Sequence, residues 1–329
     1  MDLRERIANG LDGFVLFGLT PPRQSTPVEE AQRIADITLQ RLEAIDVDGL
    51  VIYDIDDESD RNSGPRPFPY LPTMDPADFY QHHLTGWDKP AIIYRSVGKY
   101  SEAAIRDWLL EQNPERVLSV FVGAPTRDRS VVTDLRSAQA AWRNTRPELL
   151  LGGVAIPERH ASNSQEHLRL IAKQANGCTF FVSQVVYDVN ASKDLVSDYF
   201  YTCLERGIAP VPFVFTLSVC GSLRTLEFLQ WLGVDVPKWM QNDLRNSVDA
   251  LATSYEQCLG ASEELAQFCS RLGMPFGFNV ESVSNRKEEI DASIRLASVL
   301  IRRSVPTLAT AGGRDPNAAA APRRRGDED

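Results

Sequence analysis

Residues 13–23 read GFVLFGLTPPR. The short aromatic and aliphatic run from Gly13 to Phe17 has the length and composition of a strand. It leads into Pro21 and Pro22, which remove two backbone donors and fix a rigid turn, an arrangement that suits a site and plain structure alike. The same pattern recurs along the chain at Gly49 to Asp54, Ala91 to Arg95, Val117 to Val122, Leu149 to Val154, Thr179 to Gln184, Ala209 to Val214 and Phe276 to Val280. Between these runs lie stretches with apolar residues at spacings of three and four, such as Val28 to Ala44, Glu102 to Leu110 and Gln165 to Ala175. This alternation predicts βαβ units and a parallel sheet, and eight strands close a barrel. The expected fold class is therefore α/β, a single (β/α)8 TIM barrel with extra helices. The surplus is predicted in Val236 to Leu272, which is longer than one crossover needs and should hold two or three helices packed at the end of the barrel.

No linker interrupts the alternation, so one domain is expected over residues 1–305. The stretch 306–329 is small, polar and charged, and is predicted to be a disordered tail. With 43% hydrophobic and 24% charged residues among 329, the composition is that of a globular protein and not of a disordered or fibrous chain. The net charge of −10 argues against nucleic acid and anionic membranes as partners, because both demand a basic face. A small-molecule partner is expected, and a homo-oligomer is left open. The five cysteines show no CxxC spacing, which predicts reduced thiols in a cytoplasmic protein and no metal site. The N-terminus MDLRERIANG has no apolar core of a signal peptide, and no stretch of 18 apolar residues occurs.

Barrels carry their functional groups at the C-terminal ends of strands. The second strand ends with Tyr53, Asp54, Asp56, Asp57 and Glu58, ahead of an acidic and then proline-rich loop to Pro76. These carboxylates read equally as a solvated loop and as a site for a polar ligand. The fifth strand ends GGVAIPERH, placing Glu158 and His160 after the turn-setting Pro157. The sixth ends SQVVYD, with Gln184 at its last inward position, where an amide that both donates and accepts would face the mouth. No phosphate-binding loop, GxGxxG fingerprint or Ser/His/Asp spacing appears.

Taken together, FGLTPPR, GGVAIPERH, LRLIAKQANGCTFFVSQVVYDV and GVDVPKWM resemble the methylenetetrahydrofolate reductase family, over roughly residues 13–285. That family is a flavin-dependent TIM barrel that reduces a folate-bound methylene group. The resemblance implies an oxidoreductase of one-carbon metabolism acting on a reduced folate, with FAD as cofactor and NADH or NADPH as electron donor. It implies that Gly123, His160 and Lys173 contact the flavin, and that Gln184 and Phe228 lie where the pterin or the nicotinamide is held in turn; Tyr53, at the end of the second strand, is expected against the substrate as well. The family's catalytic glutamate aligns with Gly18, and the aspartate of its LRGD motif with Ala124. The resemblance therefore implies a divergent member with altered acid chemistry, because a glycine cannot supply a proton. Glu281, in FGFNVES, and Asp54 are the replacement acids expected from neighbouring strands, with Gln184 beside them. The alternatives are a binding or regulatory barrel without reductase activity, and direct reduction by NAD(P)H without flavin.

Overall fold

A computed structural model describes residues 1–57, 64–123 and 130–304. The predicted tail, Glu58 and Ala124 lie outside the described residues. The chain opens with α1 (Leu3–Ala8), then β1 (Phe14–Leu19), α2 (Val28–Glu43), β2 (Gly49–Ile52), α3 (Pro76–His83), β3 (Ala91–Ser96), α4 (Glu102–Glu111), β4 (Val117–Val122) and α5 (Leu135–Thr145). It continues through β5 (Leu151–Ala155), α6 (Pro157–Asn163), α7 (Glu166–Ala175), β6 (Cys178–Val185), α8 (Val189–Arg206), β7 (Phe213–Ser218), α9 (Leu223–Trp231), α10 (Lys238–Asn246), α11 (Ala250–Leu272), β8 (Phe276–Glu281) and α12 (Lys287–Ser304). The eight strands pair in parallel, in chain order, and β8 closes on β1. This is the predicted (β/α)8 barrel.

Two strand boundaries differ from the sequence expectation. The seventh strand begins at Phe213, not Ala209. Pro210 and Pro212 cannot donate to a ladder, so pairing starts only after the second proline. The carbonyl of Pro212 then accepts from Phe181 at 2.9 Å. The fifth strand starts at Leu151, not Leu149, whose own N–H closes a turn onto the Arg146 carbonyl at 3.1 Å. The Val236 to Leu272 region holds two helices. Of these, α11 packs on β7, β8, α8 and α12 as part of the outer wall, so only α10 belongs to the end of the barrel.

The barrel interior is filled from below. Leu3 and Ile7 of α1 are buried with Phe14, Leu16 and Val51, so this short helix plugs the N-terminal end. Its position is fixed by a capping box between Asp2 and Glu5 and by Arg6 on the Gly13 carbonyl. Large rings in the interior face glycines. A Cβ on Gly277 would lie 2.4 Å from Phe14, and one on Gly152 would lie 2.5 Å from Phe180. The outer face of each strand packs against the helices in a second, larger apolar cluster. Among the described residues, no helix is long and apolar enough to cross a membrane.

The Phe14 ring cannot move outward through its own strand. Gly277→Ala is therefore expected to overpack the core and to lower unfolding free energy by about 1–3 kcal/mol. Urea unfolding of the variant against the parent checks this, and an unchanged midpoint would contradict it.

Candidate functional site

Polar side chains enter the barrel interior at the C-terminal end of one sector, formed by β7, β8, β1 and the end of β2. Gly18 of β1 stands in register with Glu281 of β8, and Glu281 in turn with Ser218 of β7. Alternation along a strand sends every second residue inward, so Asn279 and Glu281 both face this space. The Asn279 Nδ2 donates to the Tyr53 hydroxyl at 2.8 Å and approaches Thr216 Oγ1 at 3.4 Å. Tyr53 packs edge-on against Tyr94, ring centroids 4.8 Å apart, and offers its hydroxyl to Glu281.

The glycine at position 18 has a physical reason here. A Cβ there would sit 3.0 Å from Glu281 Cβ, 3.1 Å from the Tyr53 ring and 3.2 Å from Asn279 Oδ1. The space of the missing side chain is thus occupied by its cross-strand neighbours. Glu281 is the carboxylate that reaches in from another strand.

Among the described residues, two acceptors of this cluster find no partner: Glu281 Oε2 and Asn279 Oδ1 are buried and unbonded. Such atoms are costly to bury and point to a group that the protein alone does not supply. Burial pushes the Glu281 carboxyl up to about 7, only partly offset by the Tyr53 hydrogen bond. Near neutral pH it can hold or release a proton. Burial also raises both phenols, Tyr53 and Tyr94, so each stays a hydrogen-bond donor. A second acid of the same kind lies at this end of the barrel. Glu158 on α6 is pushed up to about 7 by burial, accepts weakly from the Asp235 N–H at 3.4 Å, and has Oε2 buried without a partner.

The other sequence candidates fall elsewhere. Asp54 follows Tyr53 and so points away from the barrel axis. Its carboxylate receives the Ser96 N–H at 2.8 Å, the Tyr100 hydroxyl at 3.0 Å and the Lys99 ammonium at 2.5 Å. Arg95 and Asp75 extend the same network. With three protein donors on it, Asp54 joins the ends of β2 and β3 and is not placed as an acid for the mouth.

Gln184 sits in a β-bulge, where β6 slips against β7 between Val182 and Val185. Ser183 Oγ takes the Thr216 N–H at 2.9 Å, and the Gln184 Nε2 donates to the Leu232 carbonyl at 2.9 Å. The bulge therefore turns one N–H of this amide to the end of α9. Phe228 is likewise covered. Phe68 meets it edge-on at 5.2 Å, Trp231 stacks at 6.2 Å, and Arg66 lies 5.5 Å over its ring.

The contacts around Phe228 belong to a strap that sequence reading missed. Gly64 accepts from the Trp231 indole at 3.0 Å, and Pro67 from Arg224 at 2.7 Å. Arg66 also lies over Tyr70 and Trp231. Residues 64–70 of the loop after β2 thus reach α9. The signal was present in the aromatic and basic residues of RPFPY, residues 66–70, but nothing in the sequence named their partner.

The residues assigned to a flavin do not converge. His160 is buried against α8, its Nε2 3.1 Å from Asp198, because α6 turns its ring toward the helical layer. Lys173 lies between α7 and β5, where its ammonium is bound by the Val154 carbonyl and its stem packs 3.1 Å from the Cβ position of Gly153. Burial lowers its pKa. Gly123, by contrast, stands just after β4, and among the described residues Leu135, at 3.4 Å, would meet a Cβ there. His160 and Lys173 therefore do not fit an FAD cradle at the mouth. The expectation of no metal cluster also changes, because the fold brings His160, His167 and Asp198 together.

Fold and site define a (β/α)8 barrel with a neutral-range carboxyl buried in its mouth. No protein-family model matches the chain, and no curated protein matches it. Among solved structures it is similar to an uncharacterized protein from Clostridium thermocellum that binds two copies of 5-methyl-5,6,7,8-tetrahydrofolic acid. The two are 40% identical, with a TM-score of 0.82 over 92% of this chain and 99% of that one. The chain belongs to the family of that protein. A more distant likeness, at 10% identity and a TM-score of 0.51, covers 87% of this chain and 97% of the oxygenating constituent of 3,6-diketocamphane monooxygenase from Pseudomonas putida, solved with FMN. It reflects the barrel fold.

The raised carboxyl has a consequence for stability. Its folded-state value, about 7, exceeds the value of about 4.3 for an unfolded glutamate, so the unfolded chain binds fewer protons between these limits. Its contribution to stability is full below about pH 4 and is lost as pH rises through 7. Glu281→Gln is expected to remove that part of the pH dependence and to be more stable than the parent at pH 8, by up to about 3 kcal/mol. Thermal unfolding of both proteins from pH 5 to 8 measures it, and parallel curves would contradict the placement of Glu281.

Proposed function

We propose that this chain binds a reduced folate of the 5-methyltetrahydrofolate class at the C-terminal mouth of the barrel, with Glu281 as the group that exchanges a proton with it. The observation that carries this reading is the buried, unpartnered Glu281 oxygen facing Gly18 and Tyr53. The ligand class is supported by what the Clostridium thermocellum relative binds. A pterin presents ring nitrogens and an amino-pyrimidine edge, for which a carboxyl near pKa 7, an amide and phenols are complementary partners.

The finer reading is an oxidoreductase of the methylenetetrahydrofolate reductase type, supported by the sequence resemblance. On that reading Glu281 supplies the proton that position 18 cannot. Protonating a nitrogen of the methylene bridge opens it to an iminium ion, which accepts hydride from NADH or NADPH to give the methyl group. The direct nicotinamide route is favoured because His160 and Lys173 are placed away from the mouth. The five cysteines are all buried and free, in keeping with a cytoplasmic setting.

The test is binding of 5-methyltetrahydrofolate by calorimetry, together with NADH and NADPH oxidation in the presence of methylenetetrahydrofolate and in a folate-free control. Wild type is expected to bind and to turn over. Glu281→Gln should keep affinity within about tenfold while lowering turnover at least ~100-fold, the lower range for losing a general acid. No binding by wild type refutes the folate reading. Binding with full turnover in the variant refutes the acid.

A further inference from the structure

On the outer wall of the barrel, α6 and α7 meet at a tight corner. Ser164, the C-cap of α6, has φ 50° and ψ 29°, a left-handed conformation that residues with a Cβ rarely adopt. Its N–H bonds the His160 carbonyl at 2.7 Å. The corner folds α7 back on α6, so that His167 meets His160 edge-on with ring centroids 5.3 Å apart. From α8, Asp198 brings Oδ2 to 3.1 Å from His160 Nε2. One ring nitrogen from each histidine and one carboxylate oxygen lie within 4.8 Å of one another.

Three helices thus supply three ligating side chains to one point. His160 is only 3% exposed, and the Nδ1 atoms of both histidines are buried without a partner. A lone histidine–aspartate hydrogen bond would not account for a second imidazole turned into the same pocket. The Asp198 side chain is 51% exposed, which leaves the cluster open to solvent on one side. Donors around a tetrahedral ion, at bond lengths of about 2.0–2.1 Å, stand about 3.3 Å apart. The closing movement falls to His167 and Asp198, neither of which is fully buried.

We propose that His160, His167 and Asp198 form a site for a divalent transition-metal ion of the zinc class, with a fourth position left to water. The ion staples α6, α7 and α8 together. Because α6 also carries Glu158, the staple fixes the helix that presents the second buried acid at the barrel's C-terminal end.

The experiment is a titration of untagged, EDTA-stripped full-length protein with cobalt(II), followed by displacement with zinc. One equivalent is expected, with the visible absorption bands of a four- or five-coordinate cobalt ion. His167→Gln and Asp198→Asn should each weaken binding at least ~tenfold, the scale on which metal sites respond to loss of a supporting group. Their circular dichroism and 5-methyltetrahydrofolate affinity should not change. Absence of a stoichiometric site overturns the proposal. So does a site that both variants leave intact, which would place the ion at the chain's other two histidines, His82 and His83.

Discussion

The interior of an eight-stranded barrel has a fixed cross-section, and every side chain that enters it must be matched by one that is missing. Phe14 can lie across the axis because position 277 is glycine, and Phe180 because position 152 is glycine. One level higher the same rule governs polar groups. Glu281, Tyr53 and Asn279 share a space that remains only because Gly18 contributes nothing to it. The lower barrel spends its volume on rings and becomes a solid core. The upper sector spends it on a carboxyl, an amide and a phenol, and becomes chemistry.

Burial then sets the character of that sector. A carboxyl in water would be ionised at neutral pH and would act only as an acceptor. Enclosed by Tyr53, Tyr94 and the strand walls, Glu281 spends much of its time protonated, so it can donate as well. The strap from Gly64 to Tyr70 anchors on α9 through Trp231, Arg224 and Phe228. Arg66 lies there over the rings of Tyr70, Phe228 and Trp231.

The barrel was legible in the sequence because short apolar runs and helical periods alternate eight times, and parallel strands leave little freedom once that count is reached. What misled was local. Ala209 to Val214 looked like a strand by composition, yet its two prolines push the ladder four residues on. Glu281 could be read as a mouth residue from its place after a strand and from the gap at Gly18. Asn279, two positions earlier in the same FGFNVE run, carried the same inward parity and was overlooked. Gln184 reads as a mouth-facing amide from its place on the strand, while the bulge that turns one of its N–H groups to Leu232 is invisible to periodicity. The meeting of His160 with His167 and Asp198 depends on a left-handed serine and on helix packing, neither of which leaves a spacing signature.

The register of Gly18 with Glu281 also constrains how such a site can change over generations. A side chain at position 18 and the Glu281 side chain draw on the same volume, since a Cβ at position 18 would stand 3.0 Å from Glu281 Cβ, so any larger residue there asks Glu281, Tyr53 and Asn279 to shift together. Changes at positions 18 and 281 are therefore coupled, and the fold accepts each only against the residue that the other position holds.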